Sequence, residues 1–197
     1  MIKIGITGGI GSGKTYVSDL IKKQGLPVFN CDQAAKFIMA NEESVRTQLI
    51  ALIGDELFAA DGKMNKDVMS AFIFANEENR QKVNDIVHPA VKEQYQRWLS
   101  VQYTPMVFME SAILFESGFS ELVDKIIHVY AAEDVRLHRI IQRDHLTRIQ
   151  ATERMKSQMS EAVKMKLSDF CILNNGNLSL TSQVNRILSQ LDNQTGY

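Results

Sequence analysis

One short motif constrains this chain more than any other feature. The segment Gly8-Gly9-Ile10-Gly11-Ser12-Gly13-Lys14-Thr15 follows the P-loop pattern G-x-x-x-x-G-K-[ST]. It lies between the apolar run Ile2–Ile6 and a helix-like stretch that begins at Tyr16, which is the strand–loop–helix context the motif requires. Glycines let the backbone curl so that successive N–H groups face phosphate oxygens. The motif therefore predicts a site for a nucleoside triphosphate, with a glycine-rich turn that binds nothing as the alternative.

Two side chains at the end of the motif determine the chemistry of this site. Lys14 is predicted to reach the outer phosphates of the nucleotide, and the Thr15 hydroxyl is predicted to ligate Mg²⁺. The helix that follows contributes the positive end of its dipole at the same place.

Composition limits the classes of partner that this chain can have. With 197 residues, 45% of them hydrophobic and 23% charged, the sequence suits one compact α/β domain. A net charge of −1 is not the basic balance that nucleic-acid binding uses. No apolar stretch approaches 18 residues and no leader precedes the first run, so we expect a cytoplasmic protein without a membrane partner. Cys31 and Cys171 are predicted to be buried thiols, and no feature fixes an oligomeric state.

Five short apolar runs predict the strands of one parallel sheet, because helical patterns separate them. Such sheets bind ligands at the carboxyl ends of their strands. Polar residues follow each run at that end: the glycine loop, Asp32, Glu110, the pair Glu133-Asp134, and Asn174-Asn175-Gly176. The runs are Ile2–Ile6, Leu26–Cys31, Pro105–Met109, Ile126–Ala131 and Phe170–Leu173.

The interval between the second and third runs is too long for one crossover helix. It predicts a helical insertion at residues 33–102 beside the nucleotide site, within a nucleotide-binding core formed by residues 1–32 and 103–197. We expect its last break at His88-Pro89, because proline suits the first turn of a helix. The polar tail 192–197 is expected to fray. The helices predicted for the insertion are 33–41, 43–53, 65–75, 77–86 and 89–102.

Asp32 closes the second apolar run and opens the helix that follows. One interpretation is an N-cap, since aspartate is among the best residues at that position. The other is a general base, because a carboxylate at a strand end beside the P-loop strand can accept the proton of an attacking hydroxyl. The two roles are compatible.

A stripe of arginines characterises the predicted helix that begins near Asp134. Arg136, Arg139 and Arg143 have i, i+3, i+7 spacing, which places them along one helix face. Residues 131–166 contain eight Lys or Arg against five Asp or Glu, which suggests a site for a small anion. A solvated charged face is the alternative, but beside a P-loop we favour a helical lid at residues 134–166 whose arginines stabilise a transferring phosphoryl group.

Glu110 and His88 are two further candidates. Glu110 ends an apolar run and resembles a Walker-B acid, which holds Mg²⁺ directly or through water; a solvent-facing strand end is the alternative. A lone histidine such as His88 is more often a packed or capping residue than a catalyst.

Taken together, the motifs resemble the dephospho-CoA kinase family over most of the chain, from Ile4 to Gly176. The extended loop from Ile6 to Thr15 looks like the family's own form of the P-loop. Asn30-Cys31-Asp32 stands where the family has Asp-Ala-Asp and retains the second aspartate. The further matching segments are Phe74-Ala75-Asn76, Ile86–Pro89, Ile113–Glu116, Gln142-Arg143-Asp144, Thr147-Arg148, Arg154–Gln158 and Asn174-Asn175-Gly176.

The resemblance implies a P-loop kinase that uses ATP and Mg²⁺ to phosphorylate the ribose 3′-hydroxyl of dephospho-CoA, the final step of coenzyme A synthesis. It makes Asp32 the catalytic base, with Lys14, Arg139 and Arg143 as further catalytic residues. It implies Thr15 and Glu110 at the metal. The implied acceptor-binding residues are Asp32, Phe74, His88 and Arg148, and the implied ATP-binding residues are Gly9, Gly11, Ser12, Gly13, Lys14, Thr15, Tyr16 and Asn175.

Two other functions share some of these features. A nucleoside or nucleoside-monophosphate kinase can have the same P-loop, helical insertion and arginine-rich lid. A nucleotide-dependent switch is the other alternative, but the nearest match to the guanine motif Asn-Lys-x-Asp is Asn65-Lys66-Asp67-Val68, which lacks the final aspartate at the required offset.

Overall fold

The computed structural model describes residues 1–195, and no helix in that part of the chain is long and apolar enough to cross a membrane. The strands are β1 Ile2–Thr7, β2 Val28–Asn30, β3 Met106–Glu110, β4 Lys125–Tyr130 and β5 Phe170–Leu173. The α-helices are α1 Lys14–Lys22, α2 Cys31–Asn41, α3 Glu43–Ile53, α4 Lys66–Ala75, α5 Glu77–Ser100, α6 Glu133–Asp144, α7 Arg148–Lys156, α8 Glu161–Lys166 and α9 Leu180–Thr195. Short 3₁₀ turns occur at Asp55–Leu57 and Phe119–Leu122.

The five strands form one sheet in the order β2-β3-β1-β4-β5, and all four pairings are parallel. The predicted five-stranded parallel sheet is therefore confirmed. Its strands are apolar because helices cover the sheet, so side chains on both faces are removed from water. Helices α1 and α9 pack on one face, where Val17 and Leu191 share a core cluster with Ile4, Phe108 and Val129.

The register brings three strand ends to one edge of the sheet. Ile6 of β1 pairs with Glu110, the last residue of β3, and Asn30 at the end of β2 pairs with the same glutamate. Gly8, the first residue of the P-loop, directly follows Thr7, the last residue of β1. Residues at the carboxyl ends of β1, β2 and β3 therefore lie side by side, as expected for a parallel sheet.

The described residues divide into two compact units. One comprises Met1–Asn30 and the chain from Val101 onward, which contains the sheet and α1 with α6–α9; the other comprises Cys31–Ser100, which contains α2–α5. Within the second unit, α5 packs against α2, α3 and α4.

Helix α5 runs without interruption through His88-Pro89, so the predicted break at that point is wrong. Proline lacks the N–H that would bond four residues back, which is why it usually ends or kinks a helix. Here Val83, Val87, Val91 and Tyr95 are all buried at four-residue spacing. Because this apolar stripe continues on both sides of the proline, its burial outweighs the lost hydrogen bond.

Three smaller expectations also differ from the structure. Helix α2 begins at Cys31, so Asp32 lies inside its first turn and is not the N-cap. Cys31 is buried as predicted, whereas Cys171 is only partly buried. Helix α9 continues to Thr195, so most of the tail expected to fray is helical, and the last two residues of that tail lie outside the described part of the chain.

Candidate active site

The P-loop connects β1 to α1, and its conformation requires glycine at two positions in particular. Gly11 and Gly13 have φ angles of 81° and 95°, in the left-handed region that favours glycine. Gly13 also precedes the first residue of α1, and a side chain there would overlap the amide of Asn174. The loop therefore turns sharply and directs the amino end of α1 toward the site.

Two distant side chains hold the backbone of the loop. Gln158 Oε1 accepts a hydrogen bond from the N–H of Ile10 at 2.8 Å, and Asn174 Nδ2 donates to the carbonyl of Ser12 at 2.8 Å. Gln158 was not among the predicted site residues, and Asn174 was predicted at the ligand-binding edge of the sheet but without a contact to the loop; both belong to segments that carry the family resemblance. Sequence separations of 148 and 162 residues explain why spacing alone gives no sign of these contacts.

Lys14 is buried, with only 8% of its surface exposed. Its ammonium donates to the carbonyl of Gly8 at 2.9 Å and to that of Gly9 at 3.2 Å. Without its hydrogen bonds a buried ammonium would be costly, so the loop carbonyls stabilise it. The lysine is thereby held over the curl of the loop.

Thr15, Glu110 and Asn30 form a connected group at the ends of β2 and β3. Thr15 Oγ1 donates to Glu110 Oε1 at 2.9 Å, and Asn30 Nδ2 donates to Glu110 Oε2 at 2.9 Å. Glu110 is 2% exposed, so the solvent-facing alternative is wrong. Hydroxyl and carboxylate oxygens are the ligands that Mg²⁺ prefers, and the adjacent oxygens of Thr15 and Glu110 fit that ion.

A cavity of about 470 Å³ lies over the P-loop and brings together six of the predicted site residues. Its lining residues are Gly11, Gly13, Lys14, Thr15, Arg139, Gln142 and Arg143. Two arginines and a lysine around a loop of backbone N–H groups favour a polyphosphate.

A second cavity of about 600 Å³ lies on the other side of Gly13. Tyr16 and Leu178 are exposed there, and Asn174 and Gly176 also line the cavity. Asn175 does not appear among the lining residues; its side-chain oxygen accepts a hydrogen bond from the N–H of Ala132. An aromatic and an aliphatic side chain beside the loop suit a planar base.

The arginines of the predicted stripe have three different environments. Arg139 is half-buried, and its guanidinium donates to the carbonyls of Gly11 and Asn174 at 3.2 and 3.1 Å. Arg143 is exposed and makes a two-point contact with Asp144, which raises the pKa of Arg143 above its ordinary value. Arg136 is only 5% exposed, so it does not share one solvated face with the others.

Arg148 is the first residue of α7 and is exposed. Three more predicted residues belong to the unit of α2–α5. Asp32 is exposed in the first turn of α2, and Phe74 is 54% exposed near the end of α4. His88 is half-buried on α5; burial lowers the pKa of its imidazole, and the charge of Asp85 opposes that shift.

The sheet order and the P-loop define an α/β phosphotransferase of the P-loop kinase class. A shikimate kinase from Acinetobacter baumannii, solved with shikimate, has the same fold at a TM-score of 0.57, with 13% identity over 100% of this chain and 96% of that chain. At this identity the likeness concerns the fold alone.

Comparisons with closer proteins identify the family. The family model for dephospho-CoA kinase matches residues 2–179. A dephospho-CoA kinase of Bacteroides fragilis is 40% identical over 100% of this chain and 96% of its own length. A crystal structure from Thermus thermophilus superposes with a TM-score of 0.85 at 29% identity, covering 96% of this chain and 97% of that chain. The chain belongs to the dephospho-CoA kinase family.

Proposed function

We propose that this chain transfers the γ-phosphoryl group of ATP to the ribose 3′-hydroxyl of dephospho-CoA, giving coenzyme A and ADP. Family membership supports the acceptor. The observation that carries the phosphoryl-transfer site is the cavity of about 470 Å³ in which Lys14, Thr15, Arg139 and Arg143 meet over the P-loop. The neighbouring cavity beside Tyr16 and Leu178 then receives the adenine.

The P-loop and Lys14 bind the triphosphate. Backbone N–H groups of Gly11 and Gly13 donate to phosphate oxygens, and the amino end of α1 adds its dipole. Lys14 exchanges its bonds to the carbonyls of Gly8 and Gly9 for the outer phosphates. Because its ammonium is already desolvated, little hydration is lost when it meets the nucleotide.

Thr15 and Glu110 are the residues that would hold Mg²⁺, directly or through water. When bound, the ion neutralises charge that develops on the β- and γ-phosphate oxygens. Asn30 holds the second carboxylate oxygen of Glu110 and so fixes the orientation of the first. The proposed cofactor is accordingly Mg²⁺, with ATP as co-substrate.

Asp32 is the proposed general base. It lies two residues after Asn30, which bonds Glu110 at the edge of the sheet where ligands of this fold bind. The 3′-hydroxyl loses its proton to Asp32 as its oxygen forms a bond to the γ-phosphorus. The bond from that phosphorus to the bridging oxygen of ADP breaks in the same step.

Arg139 and Arg143 are proposed to stabilise the equatorial oxygens of the phosphoryl group as it moves. Both line the cavity, and both now bond protein oxygens, Arg139 to two carbonyls and Arg143 to Asp144. Exchange of these partners for phosphate keeps the guanidiniums paired throughout. Phe74, His88 and Arg148 are proposed acceptor contacts.

A substrate panel tests the reaction. With MgATP, the chain should release ADP when dephospho-CoA is present, and ³¹P NMR should locate the new phosphate on the 3′-oxygen. Adenosine and nucleoside monophosphates serve as competing acceptors. Turnover of a monophosphate in preference to dephospho-CoA would instead identify a nucleotide kinase, and slow hydrolysis with no phosphorylated acceptor would favour a switch.

A substitution at Asp32 tests its proposed role as general base. Asp32→Asn should lower kcat by about 10²-fold or more, within the usual range for a positioned base, with little change in ATP affinity. Asp19→Asn is the matched control, because Asp19 is exposed on α1 and pairs with Lys22. A near-wild-type rate in the Asp32 variant would remove this residue from the mechanism.

A further inference from the structure

Three side chains from three elements form a buried group beneath the P-loop, here called the Glu161 cluster. Glu161 of α8 pairs with Arg136 of α6, with 2.6 Å between Oε1 and Nη1, and its Oε2 lies 3.3 Å from Nε2 of His128 on β4. His128 is fully buried, and the side chains of Arg136 and Glu161 are 7% and 18% exposed. Burial alone would raise the pKa of Glu161, but His128 and Arg136 outweigh it and hold that pKa below its usual range.

The Glu161 cluster packs directly against Gly9 of the P-loop. A side chain built on Gly9 would overlap the guanidinium of Arg136 and the carboxylate of Glu161. Unlike Gly8 and Gly11, Gly9 has no positive φ, so its backbone conformation does not require glycine. Glycine is needed here because the ion pair lies so close to the loop.

The carbonyl of Gly9 connects two other parts of the loop by hydrogen bonds. Its carbonyl accepts hydrogen bonds from the N–H of Ser12 at 3.1 Å and from the ammonium of Lys14 at 3.2 Å. Any shift of Gly9 therefore moves both an N–H donor of the loop and the phosphate-binding lysine.

We propose that the Glu161 cluster supports Gly9 and thereby sets the positions of the P-loop and Lys14, which makes Glu161 a positioning residue for ATP. The inference rests on the proposed function, because it deepens the same nucleotide site. Glu161 itself touches no reacting atom; it acts through Arg136.

The charge on Glu161 is the part of the cluster that matters. Glu161→Gln keeps the shape of the side chain but leaves Arg136 buried without its ionic partner, and a buried uncompensated charge is strongly unfavourable. Arg136 then turns toward water and leaves the space beneath Gly9. A double variant, Arg136→Gln/Glu161→Gln, removes both charges. It leaves no buried unpaired cation, but it still removes the ion pair that packs against Gly9.

ATP affinity of the full chain, measured by calorimetry with MgATP, tests the proposal, and dephospho-CoA affinity is measured alongside it. Glu161→Gln should weaken ATP binding by about 10-fold, which corresponds to about 1.4 kcal/mol, and leave dephospho-CoA binding within about twofold. The double variant should show the same selective loss, and it provides the test if the single variant does not fold.

Ser160→Ala is the matched control. The Ser160 hydroxyl caps α8 by accepting from the N–H of Val163, so its loss destabilises the same helix without changing the cluster's charge. It should bind ATP as the wild type does. Unchanged ATP affinity in both Glu161 variants, or an equal loss in Ser160→Ala, would overturn the proposal. A wild-type chain that fails to bind ATP would contradict the nucleotide site itself rather than the role of Glu161.

Discussion

Lys14 has different partners in the structure and in the proposed reaction. In the structure its ammonium bonds two loop carbonyls, and in the proposed reaction it bonds phosphate oxygens. The carbonyls keep the buried charge hydrogen-bonded until the nucleotide arrives, so the lysine is ordered in advance. Preorganised charge of this kind costs no rearrangement of solvent during the reaction.

Replacement of this lysine should therefore abolish transfer without unfolding the chain. Lys14→Ala is expected to lower kcat by about 10²-fold or more, as for the loss of a donor that stabilises developing charge. Lys63→Ala is the control, since that side chain is 85% exposed in the other unit. Steady-state rates and far-UV circular dichroism measure the two effects. Loss of the dichroism signal would make Lys14 a structural residue.

Asn30 holds one carboxylate oxygen of its neighbour Glu110 by a hydrogen bond. Its amide lies 2.9 Å from Glu110 Oε2, so Asn30→Asp would place two carboxylates at hydrogen-bond distance. Two such groups cannot both ionise freely, and the pair retains a proton, which raises its pKa in the folded state above that of the unfolded chain. The folded state then binds more protons than the unfolded state, so stability falls as pH rises.

The expected result is a stability loss that depends on pH. In the absence of metal, the Tm of Asn30→Asp should lie closest to that of the wild type near pH 5 and furthest below it near pH 8. Asn30→Ala removes the hydrogen bond without adding a carboxylate, so its difference from the wild type should change less between the two pH values than that of Asn30→Asp. A constant difference for the aspartate variant would show that the two carboxylates do not interact.

At the scale of elements, apolar runs predicted all five strands, including the edge strands β2 and β5, which are only partly buried. The error at α5 has a local cause: His88-Pro89 is a strong stop signal, whereas the stripe Val83, Val87, Val91 and Tyr95 can be recognised only if the helix is assumed to continue. The local propensity of His88-Pro89 favoured a helix break, whereas burial of the apolar stripe favoured a continuous helix, and α5 is continuous.

Pro89 consequently lowers the stability of α5. Pro89→Ala restores an N–H that can bond the carbonyl of Asp85, and it should raise the free energy of unfolding by about 1–2 kcal/mol, because the helix cost of proline exceeds its restriction of the unfolded chain. Denaturant titration measures the change. Pro105→Ala, in the loop before β3, restores no helical bond and should give no gain. A less stable Pro89→Ala would mean that α5 depends on the proline.

In the candidate site too, features formed by neighbouring residues could be predicted, whereas contacts between residues far apart in the sequence could not. The segment Gly8–Thr15 is contiguous, so its pattern alone pointed to the loop over which the cavity of about 470 Å³ lies, with Lys14 and Thr15 in its lining. Gln158, Asn174 and Glu161 act on that loop from the far end of the chain. No residue spacing encodes such contacts, since they exist only after the sheet and helices have formed.

For the whole molecule, the proposed reaction assigns a different ligand to each compact unit. The unit with the sheet contains the P-loop, both cavities and the arginines of α6. The unit at Cys31–Ser100 contains Asp32, Phe74 and His88, three of the four proposed acceptor-binding residues; the fourth, Arg148, belongs to the unit with the sheet. A ligand that binds only the folded form stabilises what it touches, so each should slow amide hydrogen exchange in its own unit.

Hydrogen exchange followed by mass spectrometry distinguishes the two ligands. A non-hydrolysable ATP analogue should protect amides of residues 8–15 and 174–181, and dephospho-CoA should protect amides within residues 31–100. At about 100 times its Kd a ligand contributes about 2.7 kcal/mol, which slows exchange by roughly 100-fold where opening requires its release. Shikimate, which has no adenosine, is the control and should protect neither set. Protection by dephospho-CoA confined to the P-loop unit would mean that α2–α5 do not form the acceptor site, and the assignments of Phe74 and His88 would fail with it.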